Sequence, residues 1–258
     1  MRILMIGDVV GRPGRKAVEH FLPGLRRDYD LDLVIANGEN SAGGIGITPD
    51  TAKELCNSGV DVITTGNHVW AKKEIADHLD GELPIIRPLN FPPGLPGRGF
   101  LEMKGVLVVN IIGRVFIGPY DCPFRAMDCL LEEVKSSSKV IIVDFHAEAT
   151  SEKVAMGKYL DGRVSAILGT HTHVPTADCY IMPKGTAYAS DVGMVGPIES
   201  VIGVDAQSAI RSFLTAMPHR FFVSEGPSMF DGVIVDVDAA TGRATSIKRV
   251  HLEEQRES

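Results

Sequence analysis

Apolar residues in this chain come in two arrangements. Short solid runs (Ile3 to Ile6, Leu33 to Ala36, Val62 to Ile63) predict strands over residues 2–7, 31–37 and 61–65. Between them Ala17, Val18, Phe21, Leu22 and Leu25 recur at helical spacing and predict a helix over about residues 14–27, after a loop at residues 8–13. Thr48-Pro49-Asp50 opens a second helix, with Thr as N-cap and Pro at the first position. A third is expected near residues 71–79. Strands that are apolar throughout, alternating with helices, imply parallel pairing in a sheet covered on both faces.

Further along, that rhythm breaks. Pro84, Pro88, Pro92, Pro93 and Pro96 mark residues 84–99 as an ordered surface loop. A domain linker is disfavoured, because a strand-like run at residues 106–112 follows at once. Helix near 124–134, strand at 140–145, helix opened by Ser151 or Glu152 and strand at 164–169 come next. After His173 the pattern turns to short strands at 179–182 and 186–190 and a helix near 204–217. A hairpin of 221–225 with 232–238 and a last strand near 245–252 complete it. This β-rich half predicts a second sheet packed on the first. Residues 1–252 are expected to form a single domain, and the charged residues 253–258 a frayed tail.

Composition narrows the function classes. With 258 residues, 44% hydrophobic and 23% charged, the chain can bury a large core. A net charge of -7 argues against a nonspecific nucleic-acid surface. Cys56, Cys122, Cys129 and Cys179 show no CxxC spacing, so neither a zinc knuckle nor a redox pair is indicated. No apolar run approaches the roughly 18 residues of a membrane span, and none resembles a signal peptide. A cytoplasmic protein without membrane or stable nucleic-acid partners is expected; assembly into a homo-oligomer stays open.

The candidate chemistry lies where the apolar runs stop. Asp8 ends the first, Glu39 and Asn40 follow the second, and Asn67 and His68 follow the third. His146 closes the 140–145 run, and His171 and His173 close the next. A carboxylate at a strand end, such as Glu39, costs free energy unless it is paired or binds metal. On an extended segment Asp144, His146 and Glu148 share a face, so Asp144 or Glu148 could fix the His146 tautomer. By the same spacing, His171 and His173 would face one side. Imidazole with carboxylate suits Mn, Fe or Zn better than Mg or Ca. The Gly7–Gly14 stretch lacks GxGxxG spacing and carries Asp8 where a pyrophosphate would approach, which disfavours a dinucleotide site.

Together these residues resemble the calcineurin-like metallophosphoesterases, whose pattern reads Asp-x-His, Gly-Asp, Gly-Asn-His-Glu, His and Gly-His-x-His. Val10 replaces the first His, Glu39 the bridging Asp, and Val69 the Glu after Gly-Asn-His. Those departures are the pattern of the YmdB-type subgroup, as are Gly66-Asn67-His68-Val69-Trp70 and the segment from Asp144 to Lys153. The resemblance implies a four-layer α/β/β/α sandwich of two mixed sheets flanked by helices. It implies one metal on Asp8, Glu39, Asn40 and His173, and a second on Glu39, Asn67, His146 and His171, with Glu39 bridging. Iron or manganese is expected, with zinc as an alternative.

Two cations about 3.5–4 Å apart would share a hydroxide nucleophile and clamp the phosphate. His68 would be the catalytic general acid, protonating the departing oxygen. The expected substrate is a small phosphodiester, cyclic nucleotides with their 2′,3′ forms included. The alternative is a nucleotide- or protein-binding regulator that uses the same fold with little catalysis.

Overall fold

A computed structural model describes residues 1–134 and 138–255. Its strands are β1 (Arg2–Val9), β2 (Leu33–Asn37), β3 (Val62–Thr64), β4 (Phe100–Met103), β5 (Val106–Ile112), β6 (Val140–His146), β7 (Ala166–Thr170), β8 (Tyr180–Ile181), β9 (Ala187–Ala189), β10 (Met194–Pro197), β11 (Ser228–Val237) and β12 (Ala244–Glu253). The helices are α1 (Gly11–Tyr29), α2 (Pro49–Asn57), α3 (Pro123–Glu133), α4 (Thr150–Leu160) and α5 (Ala206–Thr215). Two six-stranded mixed sheets result, ordered β12-β11-β10-β1-β2-β3 and β4-β5-β6-β7-β9-β8.

Three apolar layers hold them. On β1, Leu4 and Ile6 face Val18 and Leu22 of α1 and Leu55 of α2, while Ile3 and Met5 turn inward. The inward residues meet Val106 and Val108 of β5, Ile142 of β6 and Leu168 of β7. The second sheet's outer face, with Val109 and Ile167, packs on Met127 of α3 and Met156 of α4. Alternation along each strand thus feeds both neighbouring layers, giving the α/β/β/α sandwich.

Several elements depart from expectation. α1 begins at Gly11 rather than beyond Pro13, because a proline in the first helical turn loses no intrahelical hydrogen bond. Asp8 therefore lies within β1, not in a loop. The helix expected near 71–79 is two 3₁₀ segments, Val69–Ala71 and Lys73–His78, interrupted at the extended Lys72. Residues 84–99 do not simply cross the surface: Ile85 and Ile86 are fully buried, and Ile86 N donates to Ile63 O.

The C-terminal hairpin is β11 with β12, and it joins the first sheet, where β11 runs antiparallel to β1. The second sheet instead starts with β4 and β5. Residues 221–225 form no strand, only a single bridge from Val223 to Val204. β12 extends to Glu253, and Glu254 exchanges hydrogen bonds with the Ser228 backbone, so the expected fraying does not begin there. The last three residues of that tail lie outside the described residues.

Candidate metal centre

The polar residues converge because β1, β2 and β3 of one sheet and β6 and β7 of the other end at one rim. His146 Nε2 is the focus. It lies 2.9 Å from Glu39 Oε1, 3.0 Å from Asn67 Oδ1 and 3.0 Å from His171 Nδ1. Donors each about 2.1 Å from a common cation are spaced by roughly 3 Å in this way. Gly66 keeps the space open: a Cβ there would stand 2.3 Å from His146 Nε2 and 2.6 Å from Glu39 Oε2.

A second group adjoins it. Asp8 Oδ2 accepts from the His171 backbone N–H at 3.0 Å, and Asp8 Oδ1 lies 3.8 Å from His173 Nε2. Asp8 Oδ1 and Asn40 Oδ1 are buried without a hydrogen-bond partner. Buried oxygens left unpaired cost free energy that a cation would recover. The donor set therefore fits metal. Among the described residues, Glu39, His146 and His171 bring carboxylate and imidazole atoms within 4.8 Å of one another.

His171 and His173 do not share one face of an extended segment. Both adopt left-handed backbone, φ 99° and 64°, which sends His171 to His146 and His173 to Asp8. Such conformations in non-glycine residues require surrounding structure to impose them. Here Asp191 does so. Its Oδ2 accepts from the Thr172 N–H, the Thr172 hydroxyl and buried Lys153 Nζ, at 3.1, 2.8 and 2.8 Å. Lys153 Nζ also donates to Thr170 O at 2.8 Å.

The imidazole partners differ from the simplest reading too. His146 Nδ1 meets Thr170 Oγ1 at 2.9 Å, and that hydroxyl donates onward to Asp144 Oδ1 at 2.7 Å. Glu148 turns elsewhere, to His171 Nε2 at 3.0 Å. His173 Nδ1 is directed by Ile202 O at 2.8 Å. Each imidazole thus has its far nitrogen held by an oxygen, which orients the near one. Thr170, Lys153, Asp191 and Ile202 were not anticipated from the sequence.

Burial opposes every charge here, and the balance is specific. It would raise the Glu39 carboxyl, but the His146 imidazole and the His68 backbone N–H bring it down to about 2. Burial would lower His146, but Glu39, Asp8 and Asp144 raise it to about 9. Burial and the neighbouring His146 push His171 down to about 3, leaving it neutral. Asp144 is raised to about 6 by burial. Positive charge is thus favoured at the His146 end of the cluster.

His68 sits beside the donors. Its Nε2 lies 3.2 Å from Asn67 Nδ2, and its backbone N–H donates to Glu39 Oε2 at 2.8 Å. Next to it, Asn40 Nδ2 donates to Gly44 O at 3.0 Å, which ties the Gly43–Gly46 loop to the centre.

The chain is similar to known proteins along nearly its whole length. A 2′,3′-cyclic-nucleotide 2′-phosphodiesterase of Bacillus subtilis is 49% identical over 254 residues, 97% of this chain and 96% of that protein. The crystal structure of a hypothetical protein from Thermus thermophilus superposes with a TM-score of 0.93 at 47% identity, covering 99% of this chain and all (100%) of that one. A crystal structure described as a novel phosphatase from Mycoplasma pneumoniae gives 0.93 at 36% identity, covering 99% and 94%. The family model for YmdB-like protein matches residues 4–250, and the chain belongs to that family.

Proposed function

We propose that this phosphoric diester hydrolase cleaves small phosphodiesters, cyclic nucleotides and their 2′,3′ forms among them, with metal ions in two adjoining donor sets. Asp8, Glu39, Asn40 and His173 would hold one ion and Glu39, Asn67, His146 and His171 the other. The observation that carries this reading is the convergence of Glu39, Asn67 and His171 on His146 Nε2, each within 2.9–3.0 Å. The name of the Bacillus subtilis relative supports the cyclic-nucleotide substrate.

When bound, the ions would supply Lewis acidity and a water acidic enough to attack near neutral pH. The protein's own contribution is positional. Thr170, Glu148 and Ile202 O fix the three ligand imidazoles, and the low Glu39 pKa keeps its carboxylate ionised. Attack on phosphorus breaks one P–O bond to the sugar, and the departing oxygen needs a proton. His68 is the donor. Its Nε2 stands 3.2 Å from the Asn67 amide nitrogen, which keeps the ring beside the donor set.

Hydrolysis of a chromogenic phosphodiester tests the proposal. Activity is expected to disappear on chelation and to return with Mn. Correctly folded, metal-loaded protein that cleaves no diester would overturn it in favour of a nucleotide- or protein-binding regulator.

A further inference from the structure

Beside the donors opens a cavity of about 210 Å³ lined by both imidazole and apolar side chains. His68 and His173 line it together with Ile45, Ile202, Phe221 and Phe222. Those four apolar side chains are 48–54% exposed.

Their backbones are fixed. Asp205 N donates to Phe222 O at 2.9 Å and Ser224 N to Gly203 O at 3.1 Å, so residues 221–224 lie strapped along residues 203–205. Val223 packs over two left-handed glycines: a Cβ at Gly11 or at Gly44 would stand 2.8 Å from its Cγ2. The Arg220 guanidinium lies 5.2 Å from the Phe222 ring centroid. Ile202 itself is held at φ 48°, a conformation that β-branched residues rarely adopt. That strain places its carbonyl on His173 and its side chain in the cavity. Strain of this kind persists where a site depends on it.

A free phosphate would gain nothing from these apolar side chains. A flat aromatic group joined to the phosphate by a short linker would. We infer that Phe221, Phe222 and Ile202 form a nucleobase subsite, which selects cyclic nucleotides over base-free phosphodiesters. The inference rests on the phosphodiesterase reading above and adds the part of the substrate that is recognised. Because every base has a stacking face, the subsite tolerates all four bases.

The test compares kcat/KM of the Mn-loaded enzyme for 2′,3′-cyclic AMP and for methyl riboside 2,3-cyclic phosphate, the same ester without a base. The nucleotide is expected to be preferred at least tenfold. The pair Phe221→Ala and Phe222→Ala should cut that ratio roughly tenfold, and Phe221→Tyr with Phe222→Tyr should keep it. A wild-type ratio near one, or a ratio unmoved by the alanine pair, overturns the subsite. Saturation-transfer NMR of adenosine with metal-free protein gives a readout independent of turnover. Signal on the base protons, lost in the alanine pair, supports the subsite; no signal overturns it. If neither ester is cleaved, the phosphodiesterase reading fails and the adenosine contact alone decides the subsite.

Discussion

A methyl group at Gly66 would sit 2.3 Å from the His146 ring and 2.6 Å from a Glu39 oxygen, inside the contact radius of both donors. Gly66→Ala is therefore expected to lower bound metal to well under half, read by elemental analysis after Mn loading. His68→Ala should behave oppositely, retaining metal and losing about 10²–10⁴-fold in turnover, the usual contribution of a general acid. Glu39→Ala should lose metal together with activity. Equal metal loss in the His68 and Glu39 variants would remove His68 from the acid role. At this scale much could be read in advance, because Asp8, Glu39, Asn67 and His146 each stand where an apolar run ends. Ile202 could not: its carbonyl matters, and backbone groups carry no residue signature.

Between elements, β7 and the turn after it depend on a partner far along the chain. Lys153 on α4 and Asp191, both almost fully buried, clamp Thr170 and Thr172 from two sides. Removing one partner of a buried pair leaves the other charge uncompensated. Asp191 would keep donors from Thr172 and from Gly193 N, so Lys153→Met falls at the lower end, about 3 kcal/mol. Its urea midpoint should drop, and its affinity for Mn should fall with it, since His171 and His173 flank Thr172. An unchanged midpoint would show the pair to be dispensable. The solid apolar strands of the first half were legible from period alone. The 3₁₀ segments and residues 221–225 were not, because Lys73–His78 buries only Ile75 and the two phenylalanines stay half exposed. Ile75 belongs to the core, whereas Phe221 and Phe222 line the cavity beside the donors.

Across the whole molecule, the donors come from both sheets, so bound metal would join them. Cations at about 100 times their Kd should stabilise the fold by about 2.7 kcal/mol, a rise in Tm of roughly 5–10 °C. Scanning calorimetry with and without Mn checks this, and Glu39→Ala should show no rise. No helix among the described residues is long and apolar enough to cross a membrane. Sheet membership was the least legible feature, since β10 to β12 pass over the nearer sheet and return to β1. That return bears on how the protein is made. The Met1 ammonium donates to Val237 O at 2.7 Å, and β1 pairs with β11 from Arg2 to Ile6. β1 therefore keeps one edge unpaired until β11, more than two hundred residues further along, has been made. Contacts so distant in sequence make folding slow, and an open strand edge invites association. Chains truncated after residue 225 should pellet, whereas chains that include β11 and β12 should not, and holdase chaperones should act on this protein chiefly before β11 is made.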